Sequence, residues 1–223
     1  MARGSATRGR PIPVSALHFR PLVPRPAKVI CVGLNYVAHI QETKREESDY
    51  PVLFGKFASS LAGPYDELSL PPECDSIDYE GELTIVMGAG GRIAGYCIAD
   101  DVTARDLQGR EPQWTRAKGA DTFCPLGPWV TTADEVPDPG KLRLRTWVNG
   151  DLRQDSSTSD LIFGCQELVE FVSQTCTLRP GDLILTGTPS GVGMGLDPPQ
   201  FLTSGDVVRI EIENLGHIEH AVE

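Results

Sequence analysis

The sequence predicts one mainly β domain of the α+β class, carrying two or three short helices. Three observations predict it. Glycine and proline are abundant, at 23 and 18 of 223 residues, while aromatics reach only 7%. That balance suits short strands joined by turns better than a helix bundle. Two alternating runs flank Asn149-Gly150 in "LRLRTWVNGDLRQ", a strong type I′ hairpin signal. "LRPGDLILTGTPSGVG" and "LTSGDVVRIEIENLG" share a turn-then-strand grammar, with Val208, Ile210 and Ile212 alternating against Arg209, Glu211 and Glu213.

Taken in order, residues 1–27 are basic and proline-rich and read as a partly ordered arm with one short strand near "ALHFRPL". Residues 28–223 form the domain. "KVICVGLNY" is a strand running into a turn, and "VAHIQETKRE" has helical character with His39 and Glu42 on one face. "PVLFGKFASSLAG" is apolar but broken by Gly55 and Gly63, hence strand and loop. "DELSLPP" is a short strand stopped by prolines. Leu83, Ile85 and Val86 form a strand, and Tyr96 to Ala99 form its neighbour, leading into Asp100 and Asp101. Thr103 is placed to cap a following turn of helix. "SDLIFGCQELVEFVSQTC" is the best helix, with Ser159 or Asp160 as its cap.

The formal net charge is −11, which disfavours nucleic acid and anionic membrane surfaces as partners. An anionic substrate therefore needs positive charge built into its site. Six cysteines lie without a CxxC pair and read as buried free thiols of a reducing compartment. No stretch approaches the roughly 20 apolar residues of a membrane span. The N-terminal residues lack the apolar core of a secretory signal. A cytoplasmic location is the expectation from these features.

"DYEGELTIV" holds the main chemical clue. Glu80 and Glu82 stand two positions apart, so their side chains share one strand face. Either both are solvated, or they converge on a cation, because paired carboxylates repel without a charge between them. Hard carboxylate oxygens suit Mg²⁺, Mn²⁺ or Ca²⁺. A third carboxylate completes such a site: Asp101, if the two strands are neighbours, with Asp78 and Asp100 as competitors that spacing does not separate. His39 and Glu42, one helical turn apart, read either as a surface pair or as a base with its orienting carboxylate.

"KVICVGLNYVAHIQE", "PVLFGKFASSLAGP", "DYEGELTIVMG", "GYCIADDVTARDLQ", "KGADTFCPLGPWV", "VNGDLRQDSSTSDLIF" and "GDLILTGTPSGVG" resemble, in order, the motifs of the fumarylacetoacetate hydrolase family. The resemblance covers residues 17–215. It implies a mixed β-roll or sandwich, a metal triad of Glu80, Glu82 and Asp101 holding Mg²⁺ or Mn²⁺, and a homodimer. It implies that His39 and Glu42 form a catalytic dyad on a lid over residues 39–50. It places Lys118 against a developing enolate, and Gln108, Thr188 and Arg105 as substrate-binding candidates. Arg105 also reads as a structural partner of Asp106, Lys118 as a surface lysine, and Thr188 as part of a tight turn. The activity implied is hydrolysis or decarboxylation of small 2-oxo acids such as acylpyruvates or oxaloacetate. Isomerisation of unsaturated 2-oxo diacids and a non-catalytic binding role are the alternatives. One departure is a short link, "MGAGGRIA", where the family has a longer one with a helix.

Overall fold

Largely buried strands, with the edge strand Val52–Lys56 half exposed, build the central sheet of the computed structural model, which describes residue 13 and residues 16–223. The sheet comprises β1 (Val29–Gly33), β2 (Val52–Lys56), β3 (Leu61–Ala62), β5 (Gly81–Met87), β6 (Ile93–Asp100), β8 (Cys124–Thr132) and β11 (Leu183–Leu185). Their order is β2-β1-β11-β5-β6-β8-β3. The β1–β11 and β3–β8 pairs are parallel and the others antiparallel, so the sheet is mixed. A small ribbon pairs β4 (Ile77–Asp78) with β7 (Thr103–Ala104). A second, antiparallel sheet has the order β10-β9-β12-β13, from β9 (Arg143–Val148), β10 (Asp151–Ser157), β12 (Val207–Ile212) and β13 (Gly216–Ala221). It packs on β5, β6 and β8. The helices are α1 (Val37–Glu42), α2 (Arg105–Arg110), α3 (Thr115–Lys118) and α4 (Cys165–Ser173).

Alternation along β5 divides the interior in two. Leu83, Ile85 and Met87 face the larger core with Leu144, Ile210 and Ile218 from the second sheet. Val86 faces the other side, among Cys31, Cys97, Cys124, Leu183 and Leu185. All seven residues of β5 are buried, as expected of a central strand. The mainly β, sandwich-like architecture is thus the one expected. Asn149 and Gly150 adopt φ of +54° and +85°, the conformation of a type I′ turn, between β9 and β10.

Several local expectations are corrected. "ALHFRPL" forms no strand; Pro21 removes a donor there and no partner strand lies alongside among the described residues. The rest of the arm, residues 1–12 and 14–15, lies outside the described residues. "DELSLPP" contributes only an isolated bridge between Leu68 and Val222. α4 starts at Cys165 after Gly164, not at Ser159 or Asp160, because Leu161 bridges to Tyr36 and Ile162 N–H donates to Asn35 O. Those tertiary bonds override the helical period of Leu161 and Ile162. Thr103 caps nothing: it lies in β7 and donates its hydroxyl to Asp101 O. All six cysteines are free, but Cys74 is half-buried and Cys176 exposed. The short link after β5 turns tightly at Ala89–Gly91, where Gly90 and Gly91 take φ of +69° and +70°, at the opposite end of the strand from Glu80 and Glu82.

Candidate active site

Strand pairing gathers the carboxylates. β5 and β6 run antiparallel with Gly81 opposite Asp100, and Asp101 N–H donates to Glu80 O one step further. This places Asp101 beside Glu80, while Glu82 follows two residues along the same face. One carboxylate oxygen from each of Glu80, Glu82 and Asp101 lies within 4.8 Å of the others, and all three residues are buried. Asp100 points to the opposite side. Its Oδ1 accepts Glu80 N–H at 2.8 Å and its Oδ2 lies 3.0 Å from His220 Nε2. The pleat therefore separates the two adjacent aspartates, which spacing did not.

Three cations compensate the cluster. Lys118 Nζ, at the end of α3, lies 2.7 Å from Glu80 Oε2 and 2.6 Å from Asp101 Oδ2. Lys56 Nζ, at the end of β2, lies 2.6 Å from Asp101 Oδ1. Arg105, opening α2, spans Asp78 at 2.8 Å and Glu80 at 2.6 Å, and its Nη1 donates to Gln108 Oε1 at 3.0 Å. Lys118 is 2% exposed, so it is no surface lysine. Arg105 pairs with Asp78 and Glu80, not with Asp106. Burial works against ionisation of Glu80, but Lys118 and Arg105 outweigh it and hold the carboxyl at about 2. Burial opposes the charge on Lys118 too, yet Asp101 and Glu80 keep its pKa above the usual lysine range.

Glu82 differs from its neighbours. It accepts Gly187 N–H at 2.7 Å and has no ion-pair partner among the described residues. Burial, then Asp101 and Glu80, push its pKa well above 4.5. Four buried carboxylates, counting Asp78, thus face three buried cations. Ionising Glu82 would leave one carboxylate more than the cations balance, and that site, with its all-oxygen donor set, fits a hard divalent cation among Glu80, Glu82 and Asp101.

His39, one member of the dyad, borders the same cavity. His39 and Glu42 sit one turn apart on α1, with Nδ1 and Oε2 3.3 Å apart. His39, Glu80, Glu82, Asp101, Lys118 and Gln108 all line this cavity, together with Thr188 and Arg105. Because Arg105 occupies Gln108 Oε1, the Gln108 amide N–H groups remain for a ligand. Thr188 is committed within the protein: its hydroxyl donates to Gly81 O at 3.1 Å and accepts from Gln154 Nε2 at 2.8 Å.

Sequence reading missed Lys56 and the role of Asp78. A single lysine in the apolar run "PVLFGKFA" was the available signal, since a buried ammonium requires a paired carboxylate. Asp78 accepts from Arg105 and from the N–H groups of Tyr79, Gly193 and Met194, and that hub has no local signature.

A model of the family described as fumarylacetoacetate hydrolase, C-terminal, matches residues 28–223. The oxaloacetate tautomerase Fahd2a, mitochondrial, of Rattus norvegicus is 47% identical over 95% of this chain and 71% of its own length. The oxaloacetate tautomerase FAHD2A, mitochondrial, of Homo sapiens is 46% identical over 95% of this chain and 71% of its own. The crystal structure of 2-hydroxyhepta-2,4-diene-1,7-dioate isomerase from Mycobacterium marinum superposes with a TM-score of 0.79. It is 41% identical and covers 92% of this chain and 76% of that one. The names of the rat and human relatives place those proteins in mitochondria, which corrects the cytoplasmic expectation. No helix among the described residues is long and apolar enough to cross a membrane.

Proposed function

The chain belongs to the fumarylacetoacetate hydrolase family, and from that premise we propose that it is a divalent-metal-dependent enzyme of small 2-oxo acids, interconverting the enol and keto forms of oxaloacetate. The observation that carries this reading is the convergence of His39, backed by Glu42, and a buried carboxylate triad on one cavity. The relatives named as oxaloacetate tautomerases favour that substrate over acylpyruvates.

Glu80, Glu82 and Asp101 would hold Mg²⁺ or Mn²⁺, which supplies the positive charge that attracts a 2-oxo carboxylate and polarises its carbonyl. The remaining chemistry belongs to side chains. Glu42 holds the Nδ1 side of His39, leaving Nε2 to take a proton from C3 of the substrate. The electron pair moves onto the 2-oxo oxygen, giving the enolate, and protonation of that oxygen gives the enol. The reverse order gives the ketone. Lys118, cationic throughout neutral pH, stabilises the negative charge that develops on the oxygen. Gln108 donates its free amide N–H groups to the distal carboxylate. Arg105 fixes Gln108 and Glu80 from the cavity wall.

Hydrolysis of acylpyruvates, which releases a carboxylic acid, and decarboxylation of oxaloacetate, which releases carbon dioxide, both leave the enolate of pyruvate; they form the second reading, because the same site would hold that enolate. Isomerisation of unsaturated 2-oxo diacids, the activity in the name of the M. marinum neighbour, also needs only proton transfer next to a 2-oxo acid. The test supplies oxaloacetate and acetylpyruvate with Mg²⁺. It follows the enol by ultraviolet absorbance and pyruvate by a coupled dehydrogenase. Faster enol decay without pyruvate supports the tautomerase. Pyruvate release moves the assignment to cleavage. Ligand binding with no acceleration on either substrate leaves a binding protein. The homodimer is proposed with the family reading, and light scattering tests it.

A further inference from the structure

Glu42 is held by more than His39. Its Oε1 accepts Gly191 N–H at 2.9 Å, and its carboxylate rests against Gly195, at the end of the helical turn Gly193–Gly195. A Cβ on Gly195 would fall inside the van der Waals envelope of Glu42 Cγ, Cδ and Oε1. The loop beneath is braced. Tyr79 donates its hydroxyl to Gly191 O at 2.8 Å, and Asp78 accepts Gly193 N–H at 2.7 Å and Met194 N–H at 3.1 Å. The seat therefore holds its shape, and the flexible end of Glu42 is what yields if the space is filled.

We propose that Gly195 is a positioning residue: its missing side chain forms the seat that locks the Glu42 carboxylate, and through it α1 and His39, over the cavity. The inference rests on the acid–base role assigned above to His39 and Glu42. Three features make it specific. Gly195 has no left-handed φ, so its backbone does not demand glycine. Gly191 does: φ is +98° and a Cβ there would collide with Arg153 O. The seat also joins the lid to the carboxylate cluster by a short chain, Gly193 and Met194 to Asp78, Asp78 to Arg105, Arg105 to Glu80.

The test is a cycle of G195A, E42A and the double variant, measured by hydrogen exchange over residues 37–45 and by kcat and KM on oxaloacetate. G195A is expected to keep the wild-type melting temperature and to exchange faster over residues 37–45. Its kcat is expected to fall roughly 10- to 100-fold, with KM little changed, as for a misplaced acid–base pair. In the E42A background nothing remains for the new methyl to displace, so G195A changes neither readout further. Wild-type exchange and kcat in G195A overturn the proposal, and so do effects that multiply with those of E42A. If the wild-type protein turns over no 2-oxo acid, the proposed function falls, and the exchange cycle alone still decides the seat.

Discussion

Glu82 accepts one backbone N–H and faces Asp101 and Glu80 without a cationic partner of its own among the described residues, which has a consequence for stability. Its pKa is ordinarily 4.5 and is raised well above that in the fold. Above pH 4.5 the unfolded chain releases this proton while the folded chain keeps it, so stability falls as pH rises through that window. E82Q is therefore expected to raise the melting temperature in EDTA at neutral pH, by roughly 2–4 °C for each kcal/mol relieved. Mg²⁺ or Mn²⁺ should raise it in the wild-type protein and not in E82Q. A lower melting temperature for E82Q in EDTA contradicts this. Lys118 gives the opposite case. K118Q leaves Glu80 and Asp101 without their shared ammonium, so steady-state assays should show kcat lowered about 10²- to 10³-fold. An unchanged kcat would remove Lys118 from the chemistry. At this scale the sequence made the shared face of Glu80 and Glu82 legible through period-2 spacing, while Asp101 and Lys118 were singled out by resemblance and the fold brought them to the same cluster. It was silent where tertiary pairing decided: Arg105 to Asp78 instead of Asp106, and Lys56 to Asp101.

Short elements with strong local signals formed as the sequence indicated, and long-range bonds moved the others. The hairpin at Asn149-Gly150 is the clear case of the first kind. Nothing lies within 4 Å of a Cβ built on Gly150, so G150A tests backbone conformation alone. At φ of +85° it should cost about 1–2 kcal/mol by denaturant unfolding and leave kcat unchanged, since the turn is remote from the cavity. α4 is the case of the second kind: its apolar period extends back to Leu161, but bonds from that segment to Tyr36 and Asn35 delay the start. α1 is only six residues long, too short to persist alone. It is held by tertiary contacts, among them buried Ile40, the Tyr36–Leu161 bridge and the bonds of Glu42. H39Q should reduce kcat roughly 10²-fold or more while leaving cation binding intact, as read by Mn²⁺ titration. Loss of both would show that α1 organises the carboxylates as well.

On the scale of the molecule, the fold delivers four carboxylates and three cations to one end of the β5–β6 ladder and sets His39, paired with Glu42 on α1, at the same cavity. The mainly β architecture was legible because turn chemistry and period-2 runs are local. Sheet order was not, because β1 and β11 pair in parallel across more than 150 residues of chain. Location was misread, because composition carries no address. Removal of divalent cation by EDTA should abolish turnover of oxaloacetate enol and leave the fold intact, with circular dichroism unchanged. The most direct measurement is anomalous scattering from a crystal of the wild-type protein grown in Mn²⁺. One strong peak touching Glu80, Glu82 and Asp101 is predicted. No peak there, with those three carboxylates meeting only Lys118, Lys56, Arg105 and solvent, would contradict the account.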